Sequence, residues 1–168
     1  KYSNPMQPPN FCMLLRKHIQ GGRITEVRQQ GSERIIELDI EAHTELGFTT
    51  SKRLIVEIMG KHSNIILVDI RSGKIIDAIK RISIDVNRYR QLLPGVIYVY
   101  PPKQDKTPFK SASTEDFVNS EGVVLSEKLI MNRISGISPA IARELLSSKE
   151  PAARLAEIVE SAETGSFT

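Results

Sequence analysis

The sequence predicts an α+β fold, a mainly antiparallel sheet followed by a helical bundle, on three observations. Between residue 23 and about residue 100, apolar side chains recur with a period of two, the signature of half-buried strands. Short connections such as "RSG" (71–73) and "LLPG" (92–95) separate these runs; connections of that length join antiparallel neighbours. Beyond residue 110 the apolar spacing changes to three and four, with prolines where helices would begin.

Taken in order, "NPMQPPN" (4–10) is extended, because each proline fixes its own φ and biases its predecessor away from helix. Asn10 is placed to cap a short helix whose apolar face is Phe11, Leu14, Leu15, His18 and Ile19, ended by Gly21-Gly22. Arg16, Lys17 and His18 fall in its last turn, where the helix dipole favours cations. "ERIIELDIEA" (33–42) sets Ile36, Leu38 and Ile40 against Glu37, Asp39 and Glu41, predicting a strand with the acids on a wet face. "KRLIVEIM", "NIILVDI", "GKIIDAI" and "VIYVY" bring the total to at least six strands. Ser113 opens an S-x-x-D box with Asp116. A helix is predicted over 123–134 with Leu125, Leu129 and Ile130 inward. A second starts at Pro139 behind the cap Ser138, and a third at Pro151 with Leu155, Ile158, Val159 and Ala162 on one face. The expected division is a β-rich body over 1–110 and a helical region over 111–168.

At 168 residues the chain is one domain or one domain with a small appendage. A single cysteine, Cys12, rules out an internal disulfide, and no apolar run approaches the ~18 residues of a membrane span. We read the protein as cytoplasmic, with no membrane partner. The start at Lys1 suggests a fragment of a longer protein. Net charge is only +3, yet residues 1–110 hold 18 Lys and Arg against 11 Asp and Glu, while 111–168 hold 5 against 9. That asymmetry suits a polyanion partner for the first part, or is an ordinary solvated surface.

Catalytic signals are poor. His18, His43, His62 and Cys12 have no metal-ligand spacing, and no nucleophile elbow, phosphate loop or dinucleotide fingerprint occurs. No metal, no cofactor and no enzymatic activity are expected. Binding chemistry is better represented. In "EIMGKHSN" (57–64), Gly60 lets the backbone approach a partner, and Lys61 and His62 sit beside it. Ser63 and Asn64 can donate to phosphate or base edges, Glu57 can accept from exocyclic base amines, and Met59 can pack on a base. The plainer alternative makes Glu57 an outward strand residue and Asn64 a turn former. In "QGSERII" (30–36) a Gly31-Ser32 turn precedes Glu33 and Arg34, an acid and a guanidinium able to recognise an RNA edge or to stand as a solvated pair. In "NRYRQLLPG" (87–95), Arg88 and Arg90 flank Tyr89, which suits single-stranded nucleic acid or a tyrosine packed on the sheet. "MNRISGISPAIARELL" (131–146) joins two helices through a tight double turn at Gly136 and Ser138, a place for a phosphate or a simple connection.

The stretches "PPNFCMLLRKHIQGGRI", "LIVEIMGKHSNIILVD", "NRYRQLLPGVIYVYPP" and "SGISPAIAREL", in this order, closely resemble the NFACT-N domain that opens proteins of the RqcH and NEMF family. Bacterial members are also described as fibronectin- or fibrinogen-binding proteins. The resemblance covers essentially the whole chain. It implies binding to tRNA, alanyl-tRNA in particular, and to a large ribosomal subunit obstructed by peptidyl-tRNA, where the family supports template-independent alanine tailing of stalled chains. It implies a fold like the N-terminal β-domain and helix–two-turns–helix module of Fpg/Nei DNA glycosylases. The family's tRNA-contacting Asp-Arg pair falls on Glu33 and Arg34, a departure in the first residue that lengthens its reach by one methylene. Its Glu-Ile-Met motif falls unchanged on Glu57, Ile58 and Met59. The glycosylase catalytic proline and glutamate have no match, so base excision is not expected. Family members carry a further β-rich segment before "NPMQPP", and a coiled coil and C-terminal domain that this chain does not include. The leading expectation is a non-enzymatic tRNA- and rRNA-binding module of ribosome-associated quality control. The rivals are a surface adhesin for fibronectin and a nucleic-acid-processing enzyme on a glycosylase-like scaffold.

Overall fold

A computed structural model describes residues 5–31, 33–44, 46–102 and 105–166. Features expected at Asn4 and Ser32 lie outside them. Two compact units are present, Lys1–Pro102 and Lys103–Thr168. No helix is long and apolar enough to cross a membrane among the described residues.

In the first unit, helix α1 (Asn10–Ile19) precedes strands β1 (Arg23–Gln29), β2 (Ile35–His43), β3 (Thr49–Glu57), β4 (Asn64–Asp69) and β5 (Ile75–Ala78). All four pairings are antiparallel and the strand order is the chain order, a five-stranded meander. Asn10 is not the cap of α1. Pro9 holds that position in an extended conformation, and no side chain caps the helix, because proline carries no side-chain oxygen to accept from the first-turn N–H groups. "VIYVY" does not join the sheet as a strand. It meets the sheet edge at an isolated Lys74–Ile97 bridge flanked by backbone hydrogen bonds between Ile75 and Val96 and between Tyr98 and Gly73, and runs on as a strap.

That strap inverts one expectation. Ladder partners point to the same face, and the register pairs Ile35 with Glu57, Glu37 with Ile55, and Glu57 with Asn64. One face therefore carries Ile35, Ile55, Ile66, Val68, Ile75 and Ala78, buried together with Leu92 beneath Ile82, Tyr98 and Tyr100. Glu37 lies on it, 2% exposed, while Ile36 on the other side is 36% exposed. The face expected to be wet is a core face, because residues 82–100 cover it. Fully buried side chains such as Ile66 contribute roughly 1.5–3 kcal/mol each. Helix α1 contacts β2 and β5, and burial together with the nearby Lys52 ammonium lowers the His18 pKa.

The second unit holds helices α2 (Glu127–Arg133), α3 (Pro139–Ser147) and α4 (Pro151–Thr164), with short parallel strands β6 (Thr107–Pro108) and β7 (Ile134–Ser135). Phe117, Leu125, Ile130, Ile134, Leu145 and Leu155 form its core. The Ser113–Asp116 box caps a 3-10 turn over Thr114–Phe117. Helix α2 starts later than the spacing predicts: Val124 bridges Val118 and Leu125 N–H donates to Phe117, so these residues are spent in extended structure. Pro139 stands in the first turn of α3 and Ser138 accepts from Ile141 N–H, as the local chemistry predicts.

Candidate nucleic-acid interface

The meander's register delivers the candidate residues of the first unit to one end of the sheet. Strand β2 begins opposite the last residue of β3, and that residue pairs with the first of β4. Arg34, the 58–63 connection and residues 79–81 therefore leave the sheet at the same end. Ile58 N–H donates to Arg34 carbonyl at 2.8 Å and Ile79 N–H to Ile65 carbonyl at 2.9 Å. The connection winds into a 3-10 turn over Gly60–His62. Gly60 has φ +58, a left-handed conformation that a side chain would disfavour.

Arg34, Lys61, His62, Lys80 and Arg88 are exposed, and so are Ile58 (47%) and Tyr89 (59%). Glu33 is half-buried, with its carbonyl accepting from Gln29 Nε2 at 3.0 Å. Met59 is half-buried against the first unit's core. Ser63 Oγ accepts from Met59 N–H at 2.9 Å, which closes the turn.

Three candidates turn inward instead. Glu57 is 1% exposed. Arg90 grips it with both guanidinium nitrogens, Nη1 to Oε1 at 2.7 Å and Nη2 to Oε2 at 2.6 Å, and Tyr98 hydroxyl donates to Oε1 at 2.7 Å. Glu57 is thus neither a base reader with a free oxygen nor an outward strand residue: the register points it into the core. Arg90 is buried with it and donates also to Val99 carbonyl at 3.0 Å, so it is not a free phosphate contact. Burial works against the charge on Arg90, and the bonds and charge of Glu57 outweigh it, raising the pKa. Burial and the Glu57 carboxylate push the Tyr98 hydroxyl far above the ordinary phenol range, so it remains a donor. Asn64 is the third. Its Nδ2 donates to Lys80 carbonyl at 2.8 Å and its Oδ1 accepts from Lys80 N–H at 2.9 Å. Its amide is consumed in holding the exit of β5.

Other cations are also engaged. Arg53 binds Asp39 at 2.7 and 2.9 Å, and Arg28 contacts Glu26, Glu37 and Asp39. Tyr100 hydroxyl donates to Glu37. Sequence reasoning missed Lys80, whose Nζ donates to Lys61 carbonyl at 3.2 Å and braces the turn. It also missed the two tyrosine donors, whose period-two spacing was the available signal.

Gly136 and Ser138 belong to the second unit. Gly136 has φ +83, and a Cβ there would lie 2.7 Å from Phe109 Cδ1, so glycine answers a packing need. Ser138 Oγ is occupied in capping α3. Among the described residues no group of three His, Cys, Asp or Glu side chains could hold a metal ion.

The family described as NFACT N-terminal and middle domains matches residues 1–165. The chain belongs to this family. Rqc2 homolog RqcH of Bacillus subtilis is 46% identical over 147 residues, covering 85% of this chain and 25% of the relative. The NFACT chain described here therefore spans about a quarter of that protein's length. Solved structures of bacterial proteins share its fold. The N-terminal part of the fibronectin/fibrinogen-binding protein from Streptococcus suis has a TM-score of 0.79 at 36% identity, over 95% of this chain and 61% of that one. The fibrinogen binding protein from Staphylococcus aureus has a TM-score of 0.76 at 32% identity, over 97% and 60%.

Proposed function

We propose that this NFACT chain is the tRNA-binding module of a ribosome-associated quality control factor. It acts on the large ribosomal subunit in the cytoplasm and supports alanine tailing without catalysing a reaction itself. The observation that carries this reading is the convergence of exposed Arg34, Lys61, Lys80 and Ile58 at one end of the sheet, with exposed Arg88 and Tyr89 next to Arg90, whose side chain is bound to Glu57 at that end. Cations there can meet phosphates, and apolar and aromatic side chains can pack on unstacked bases. Arg34 follows the turn that leads into β2 and would bond or stack at a base. Lys61 and Arg88 would neutralise phosphates. The α2–α3 junction, with Gly136 and Ser138, is read as a helix–two-turns–helix element of an Fpg/Nei-like arrangement.

The test is a titration with alanyl-tRNA and uncharged tRNA at several salt concentrations. Affinity should fall steeply with salt, and Lys61→Ala or Arg88→Ala should each reduce the slope by about one. The names of the two solved relatives suggest a second reading, fibronectin or fibrinogen binding at the cell surface. Tight binding to immobilised fibronectin with indifference to tRNA would replace the RNA reading by that one. Release of a base or a strand break in damaged duplex DNA would point instead to an enzyme.

A further inference from the structure

At the cationic end, Glu57 and Asn64 are cross-strand partners, and both are buried. Each spends its side chain on a segment arriving from elsewhere in the sequence. Asn64 holds Lys80 by two hydrogen bonds to its backbone. Glu57 holds Arg90 and Tyr98, 33 and 41 residues away. Just before Arg90 the chain makes a tight turn, in which Asn87 Oδ1 accepts from Tyr89 N–H at 2.9 Å and from Arg90 N–H at 3.4 Å. Arg88 and Tyr89 are the exposed residues of that turn. Its floor is the bidentate Arg90–Glu57 contact.

We propose that Glu57 is a positioning residue of the RNA site: through Arg90 it fixes where Arg88 and Tyr89 stand relative to the 58–63 turn, and it touches no nucleotide. Asn64 does the same for Lys80. The two residues form an internal polar bracket, so a recognition surface assembled from four separate stretches of chain is held as one. Ion pairs with this fork geometry specify direction as well as attraction, and a buried pair adds little net stability over an apolar replacement, which leaves the geometry it fixes as its use here. This deepens the tRNA reading and rests on it for the identity of the ligand.

The decisive variant is Arg90→Lys in the full chain, because it leaves Glu57 and the net charge untouched and removes only the planar fork. Two readouts are taken. Hydrogen exchange of the Tyr89 and Arg90 amides needs no RNA, and it should speed up about tenfold or more while the β2–β4 amides keep their protection. Affinity for tRNA should fall about tenfold, and Arg88→Ala, costly in the wild type, should then cost little more. Tyr98→Phe, which removes one donor and keeps the ring, should move both readouts in the same direction by less. Wild-type tRNA affinity in Arg90→Lys, with loss only in Glu57→Gln, would mean that Glu57 meets the RNA directly, and the proposal would fail. Unchanged exchange in the turn would also overturn it. A wild-type chain that binds no tRNA would sink the RNA reading alone, and the exchange measurement would still decide the bracket.

Discussion

In the first unit Glu37, Glu57 and Arg90 are buried among Ile35, Ile55 and Ile66, whereas in the second Phe117, Ile130, Leu145 and Leu155 pack together and the described residues include no buried charged side chain. The contrast separates two uses of an interior. An apolar core is non-directional and tolerates volume-conserving apolar swaps best. A buried carboxylate is costly unless its partners stand at fixed distances and angles, so it constrains the chain segments that bring those partners. The unit that carries charge inside is also the one whose exposed turns must keep a mutual geometry.

The contrast can be broken most sharply at Glu57. Glu57→Ala should destabilise the chain by about 3–5 kcal/mol, because it strands a buried guanidinium. Glu57→Met with Arg90→Leu should restore most of that loss in a denaturant titration, although the tRNA site would not recover. Equal cost for single and double variants would mean that charge is not the issue. Leu145→Ala in the second unit should cost about 2–5 kcal/mol, with no dependence on salt, as expected for a cavity in a purely apolar core.

Acid should discriminate next. The hydrogen bond from Lys52 Nζ, at 2.5 Å, is the main cause holding the Asp69 carboxyl at about 2, below its ordinary 3.8. Between those values the unfolded chain takes up a proton that the folded chain refuses, so this contribution is complete above the ordinary value and is lost as pH falls toward 2. Lys52→Met should flatten that part of the stability profile, measured by thermal unfolding across the range. Smallest in stability terms is Arg34→Ala: about 1–3 kcal/mol of tRNA affinity should disappear with no more than about 0.5 kcal/mol of folding stability. A large stability loss there would place Arg34 with the structural charges rather than with the binding surface.

What could be read from the sequence was whatever local chemistry decides. Ser138 and Pro139 announce α3 within two residues, and the alternation of β2 to β5 announces strands. Alternation alone could not tell which face of β2 is dry. It assigns the isoleucines inward, but the face of Glu37 is closed by Tyr100, 63 residues later, and no window of ten residues contains that fact. The same remoteness hid the role of Glu57. Its polarity and its place at a strand end suggested a ligand contact, whereas its partners, Arg90 and Tyr98, come from a segment that itself read as an isolated basic-aromatic motif and a sixth strand. Lys80 escaped notice because its importance is conferred by the side chain of Asn64.

The strap has a consequence for the order in which the molecule takes shape. Every ladder of the meander joins neighbours in sequence, which is a quick closure, while the contacts of Glu57 and Glu37 span 33, 41 and 63 residues and are slower to find. A nascent chain can therefore complete its five strands with both carboxylates still hydrated. It is the docking of residues 82–100 that takes both carboxylates out of water.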